Sequence, residues 1–83
     1  MKVNVRYFAS IRESLERGTE TVDTGAATLG GLRDELIGRG GTYAECLARG
    51  RAVRLALNQV MAEESAALTE GAEVGFFPPV TGG

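Results

Sequence analysis

The chain has no histidine, and its 83 residues include a single cysteine, Cys46. Without imidazole there is no histidine base, no Ser–His or Cys–His nucleophile pair and no histidine-ligated metal. One cysteine can neither close an intrachain disulfide nor supply the thiolates of a structural zinc site. No metal site is therefore expected. Strong charge of one sign is missing too: nine basic and eleven acidic residues give a formal net charge of −2 and a pI near 5.1. That balance argues against a nucleic-acid surface. The eight arginines are spread from Arg6 to Arg54 rather than gathered, which argues against a polybasic membrane anchor. No apolar run approaches the roughly 18 residues of a membrane span. The opening Met1 to Arg6 is interrupted by polar residues, unlike the apolar region of a signal peptide. A cytoplasmic location is expected, where a reduced thiol is ordinary. If the protein does chemistry, its reacting group is expected to be something unusual.

What is present is ordinary for one small domain with one core: 43% hydrophobic and 24% charged residues, with mean hydropathy near zero. Glycine is the exception, at 12 of 83 residues, roughly double the average share. The first segment alternates, so that Val3, Val5 and Tyr7 share one strand face and Lys2, Asn4, Arg6 and Phe8 the other. A short helix over 9–16 places Ile11 and Leu15 on one side. Gly18 breaks it, and Thr19, Thr21 and Val22 suggest a second strand. Thr28 is placed to cap a second helix carrying Leu29, Leu32 and Leu36, although Gly30 and Gly31 disfavour it by about 1 kcal/mol each. Glu35 and Arg39 are spaced to pair across one turn, and Gly40-Gly41 end this helix. A weaker turn is expected around Tyr43, Cys46 and Leu47. Val53, Leu55 and Leu57 then alternate as a strand that ends at Asn58-Gln59, with a short strand at Val60-Met61-Ala62. Leu68 is expected beneath a loop. Gly71 marks a turn before a last strand over 73–77, which Pro78-Pro79 end because proline cannot donate to a ladder. A mixed sheet with one main helix across one face, a small α+β roll, buries these stripes most economically.

The end of the chain carries the most information. Successive strand residues face opposite ways, so Phe76 and Phe77 cannot both enter the core. Val74 and Phe76 are assigned inward and Phe77 outward; the same parity puts Phe8 outside. Two exposed phenylalanines on one sheet suggest an apolar patch for a partner, although scattered surface apolar residues are also normal. After Pro79 come Val80-Thr81-Gly82-Gly83, reaching at most roughly 13–14 Å when extended. Glycines at such an end could thread a narrow channel of another protein. They are also common at frayed termini.

Three stretches resemble one family: Val5-Arg6-Tyr7-Phe8-Ala9-Ser10-Ile11-Arg12-Glu13, then Asn58-Gln59 with Leu68-Thr69-Glu70-Gly71-Ala72-Glu73-Val74, and the ending Phe76-Phe77-Pro78-Pro79-Val80-Thr81-Gly82-Gly83. The family is the small, sulfur-carrier subunit of molybdopterin synthase, among the ubiquitin-like, ThiS-like sulfur carriers. The ending is its most specific part, and roughly 38–51 is the least diagnostic. Gly75 stands where the family pattern leads one to expect alanine, a change expected to weaken the strand slightly without touching the chemistry.

The resemblance implies a ubiquitin-like β-grasp domain over 1–79 and a flexible tail over 80–83. It implies that a ubiquitin-activating-like adenylyltransferase uses MgATP to adenylate Gly83, and that a sulfur donor enzyme then displaces AMP to leave a thiocarboxylate. This chain itself would bind no cofactor. Val80, Thr81 and Gly82 would insert with Gly83 into the large synthase subunit, where sulfur passes to cyclic pyranopterin monophosphate to build the dithiolene. The implied assembly is two small and two large subunits, with catalytic side chains on the partner. Phe8, Met61 and Phe77 are the candidates for the docking patch, which would serve the activating enzyme and the large subunit in turn. Cys46 is expected to be a packing residue. A carrier for thiamine or cysteine synthesis and a ubiquitin-like protein modifier are the alternatives.

Overall fold

The computed structural model describes residues 1–78. Strand β1, Lys2–Tyr7, buries Val3, Val5 and Tyr7 and exposes the residues between them, as alternation requires. Ala9, with φ +48, turns the chain into helix α1, Ala9–Leu15, which buries Ile11. Glu16, at φ 57 and ψ 31, ends that helix in the left-handed region. Strand β2 spans Thr19–Asp23, and helix α2 spans Leu29–Ile37. The Thr28 hydroxyl caps α2 by accepting from the Gly31 amide at 3.1 Å, and Leu29, Leu32 and Leu36 are buried. Gly30 has a spatial reason to be in this helix. A Cβ there would lie 3.0–3.2 Å from Glu64, including its backbone oxygen. The segment containing Glu64 closes over the start of α2, accepting from the Gly30 amide at 2.9 Å.

The expected turn around Tyr43 is a helix, α3, Gly41–Leu47, with Leu47 buried. The expected Glu35–Arg39 pair does not form. Arg39 bonds Glu20 at 3.0 Å, while Glu35 accepts from the Thr24 hydroxyl and from the Gly25 amide. Strand β3, Arg54–Leu57, turns through Asn58 and Gln59, both at positive φ, into β4, Val60–Ala62. Two left-handed residues are the two-residue hairpin that suits the twist of paired strands. Leu68 is buried beneath its loop, as expected. Strand β5 spans Glu73–Phe77.

The five strands form one sheet in the order β2-β1-β5-β3-β4. The central pair, β1 and β5, is parallel and every other pairing is antiparallel. Leu29, Leu32 and Leu36 of α2, with Ile11 and Leu47, share one core with Val3, Val5, Tyr7, Leu55, Val74 and Phe76. All three helices contribute to that core, so the sheet has one covered face. This is the β-grasp arrangement. Pro79 and the expected tail over 80–83 lie outside the described residues.

Candidate functional site

The sheet face away from the core is built by the same alternation that builds the core. Val74 and Phe76 are fully buried, so Gly75 and Phe77 point the other way. Phe8 follows β1 and continues its ladder, donating its amide to the Phe76 carbonyl at 3.2 Å. The Phe8 and Phe77 rings stack with centroids 4.2 Å apart and planes 6° from parallel. Both residues are half-buried rather than freely exposed, because each ring covers the other. The expected outward parity is correct, and the expected full exposure is corrected by this stack.

Register places Met61 on the same face. Across the sheet, Thr19, Arg6, Gly75, Ala56 and Met61 are successive partners. Met61 is 55% exposed at the β4 edge, beside Val60 at 67%. Ala56 is buried on this face without belonging to the core. The face therefore runs from the Phe8–Phe77 pair through Gly75 and Ala56 to Met61, with Arg6 and Arg54 on it. The Arg6 guanidinium lies 5.3 Å from the Phe8 ring centre and pairs with Glu73 at 3.8 Å. Phe8, Met61 and Phe77 thus share one face. Val80, Thr81, Gly82 and Gly83 lie outside the described residues, the last of which is Pro78, directly after β5.

Beside Pro78 is a cleft of about 370 Å³, lined by Ser10, Ser14, Glu45, Cys46 and Arg51 among others. Cys46 is half-buried and packs partly against the core. Among the described residues, no group of three or more His, Cys, Asp or Glu side chains is placed to hold a metal. Among the same residues, no helix is long and apolar enough to cross a membrane.

Two polar networks on the helix side escaped the sequence reading. Glu20 accepts from the hydroxyls of Tyr7 and Tyr43, both at 2.7 Å, and from Arg39 at 3.0 Å and Arg17 at 3.1 Å. Its burial alone would raise its pKa, but the tyrosine and Arg39 hydrogen bonds prevail and hold the carboxyl down at about 2. Burial and the bond to Glu20 push both tyrosines above their ordinary range. The second network centres on Arg33, which is 3% exposed. It donates to the carbonyls of Leu47, Ala48 and Arg51 at 2.7–3.1 Å and to the Glu64 carboxylate at 3.1 Å. The signals were readable. Glu20 shares the phase of inward Val22, and Arg33 falls on the Leu29–Leu32–Leu36 stripe; a charge at an inward position implies buried partners. Among the described residues, no buried side-chain polar atom lacks a hydrogen-bond partner. Both networks are satisfied within the chain and have a structural role.

The sequence matches the model of the ThiS family over residues 5–83. It is 35% identical over 81 residues to the molybdopterin synthase sulfur carrier subunit of Haemophilus influenzae, covering 98% of this chain and 99% of that one. Identity to the protein of the same name from Mycobacterium tuberculosis is 38% over 85 residues, covering 100% and 99%. Among solved structures, small archaeal modifier protein 1 of Haloferax volcanii superposes with a TM-score of 0.78 at 26% identity, over 95% of this chain and 98% of that one. A subunit in the complex of subunits 1 and 2 of the molybdopterin-converting factor from Helicobacter pylori superposes with a TM-score of 0.70 at 27% identity, over the whole of both chains.

Proposed function

The chain belongs to the ThiS family, and from that premise we propose that it is the sulfur-carrier subunit of a molybdopterin synthase. The observation that carries this reading is the course of β5. It anchors Phe76 in the core, turns Phe77 onto the outer face and leads through Pro78 towards the Gly82-Gly83 end. An apolar face on the strand that precedes the last residues of the sequence suits a protein that docks by its sheet and delivers its terminus to a partner. Near-full-length relatives that bear the carrier's name support the same reading.

On this reading the reagent is the Gly83 carboxylate. With an ordinary pKa near 3.3–3.7 it is anionic at neutral pH and a poor electrophile. An adenylyltransferase of the ubiquitin-activating type therefore joins it to AMP, with MgATP as that enzyme's own substrate. A sulfur donor enzyme displaces AMP and leaves a thiocarboxylate. Gly82 keeps the approach thin and Val80 and Thr81 line the entry as the end enters the large subunit, where its sulfur passes to the pterin precursor. Phe8, Phe77 and Met61 form the face that meets each partner in turn, and methionine suits a surface used twice. The Helicobacter complex of subunits 1 and 2 supports a large-subunit partner, and two small with two large subunits is the assembly we propose. The chain needs no histidine because catalytic side chains belong to that partner. Its place is the cytoplasm.

The likeness to the archaeal modifier favours a second reading, in which Gly83 forms isopeptide bonds with target lysines. Intact mass and denaturing gels separate the two. A carrier isolated with its activating enzyme shows one terminal oxygen replaced by sulfur and no conjugates. A modifier shows covalent ladders. One residue added after Gly83 should abolish sulfur transfer with the fold unchanged; dithiolene formation by the extended chain would refute the terminal mechanism.

A further inference from the structure

Two arginines flank the Phe8–Phe77 pair on the outer face, and they differ in one respect. Arg6, beside Gly75 on β1, brings its own counter-charge, the Glu73 carboxylate at 3.8 Å. Arg54 stands on the other side of β5, opposite Phe77 on β3, and is exposed. Among the described residues, no carboxylate forms an ion pair with it. A hollow of about 400 Å³ opens beside Arg54, with Met61 and Glu63 also on its wall. Directly opposed residues of antiparallel strands have Cα atoms only about 4.5–5.5 Å apart. A surface that covers the Phe77 ring therefore also closes over the Arg54 stem and takes water from its guanidinium. A cation stripped of water in this way is costly unless a group on the other side answers it. The planar guanidinium fork is best answered by a carboxylate, which it can grip with two parallel hydrogen bonds.

We propose that Arg54 is a specificity-determining charge of the docking face, and that the large subunit fitting this chain presents a carboxylate beside the apolar seat for Phe77. Arg6 asks for none, because Glu73 already answers it. The chain as a whole has a net charge of −2, so attraction to an acidic patch comes from this corner of the face and not from the molecule at large. Such a local charge selects the partner and fixes the register of docking. This inference rests on the reading of the outer face as the surface that meets the large synthase subunit.

The test uses the full chain as wild type, Arg54→Leu, Arg54→Lys, Arg54→Glu and, as a control, Phe77→Asp. Each is melted alone and titrated against the purified cognate large subunit at low and high salt. Leucine keeps an apolar stem and drops the charge, so the sign of its effect decides. Against an apolar partner surface it tightens binding, since no charge is left to desolvate. Against a carboxylate it weakens binding, by roughly tenfold or more at low salt and by less at high salt. Lysine should lose less than leucine, and glutamate more. Arg54 is exposed, so the variants should melt within a few degrees of wild type; if glutamate lowers stability, leucine and lysine decide. The lysine variant also locates the counter-charge. Lys2, the one lysine of the chain, lies at the far end of β1 from Phe8. In the double variant Lys2→Arg, Arg54→Lys, a carbodiimide couples the single side-chain amine to a carboxylate in contact with it, and peptide mapping should find that link on the large subunit. Unchanged or tighter binding by Arg54→Leu overturns the proposal, as does a link only to Glu63 of the same chain. If Phe77→Asp binds as tightly as wild type, the docking reading fails and the proposal with it. If Phe77→Asp binds weakly while Arg54→Leu does not, the proposal alone fails.

Discussion

Replacing Glu20 with alanine tests the claim that one carboxylate ties β2 to β1 and α3. The Glu20 side chain is 11% exposed and accepts four hydrogen bonds. Its loss leaves the buried Tyr7 hydroxyl without an acceptor, at about 1–3 kcal/mol. Tyr43 is half-buried and can turn to water, while Arg17 and Arg39 are 50% and 39% exposed, so each of these losses is below about 1 kcal/mol. The sum is about 2–4 kcal/mol, which lowers the melting temperature by roughly 8–30 °C in a domain of this size. Glu20→Gln keeps an acceptor oxygen and should cost about half as much. Acid pH supplies the independent measure. A carboxyl held at about 2 in the folded chain against an ordinary 4.5 contributes stability that is fully present above pH 4.5. That contribution, about 3 kcal/mol, is lost as pH falls from 4.5 towards 2. Urea unfolding at steps from pH 7 to pH 2 reads it directly, and the acid slope should be smaller in Glu20→Gln. An alanine variant melting within about 3 °C of wild type, or a glutamine variant with the wild-type acid slope, refutes the reasoning.

Phe77→Asp should weaken binding to the large subunit more than tenfold while costing the domain about 1 kcal/mol, the worth of its stack on Phe8. Titration and thermal melts check both halves, and a loss of several kcal/mol would place Phe77 in the core instead. Cys46→Ser should leave sulfur transfer from a loaded chain unchanged in single-turnover assays. Loss of transfer with a normal melt would give the thiol a role at the cleft beside Pro78.

The legible parts of the fold are those where one period dominates. Val3, Val5 and Tyr7 alternate without interruption, and Val74 with Phe76 fixes the phase of β5, so both strands were readable residue by residue. Helix α3 was not, because seven residues around one buried leucine, Leu47, barely reveal a helical period. Gly30 disfavours α2 on propensity, yet a Cβ there would crowd Glu64 at 3.0–3.2 Å, so tertiary packing favours glycine against the local preference. Arg39 was paired by spacing along its helix. Glu20 offers it a better-held carboxylate, brought near by β2, which spacing within one helix cannot reveal. On the outer face, parity was enough to place Phe8 and Phe77. Their mutual stacking depends on the parallel register of β1 and β5, a pairing across most of the chain.

That register links the core to the candidate site. Tyr7 pairs with Phe76 and stacks on it inside the sheet at 6.0 Å; the next residue of each strand, Phe8 and Phe77, stacks outside at 4.2 Å. A slip of one residue between β1 and β5 would exchange the faces and put Phe77 into the core. The cost of that exchange is set by the inner pair, because Tyr7 and Phe76 are fully enclosed and Tyr7 is also held by Glu20. The outer pair therefore inherits its alignment from packing that no partner touches. On the proposed reading of the outer face as a docking surface, the core would restore its geometry after each partner leaves.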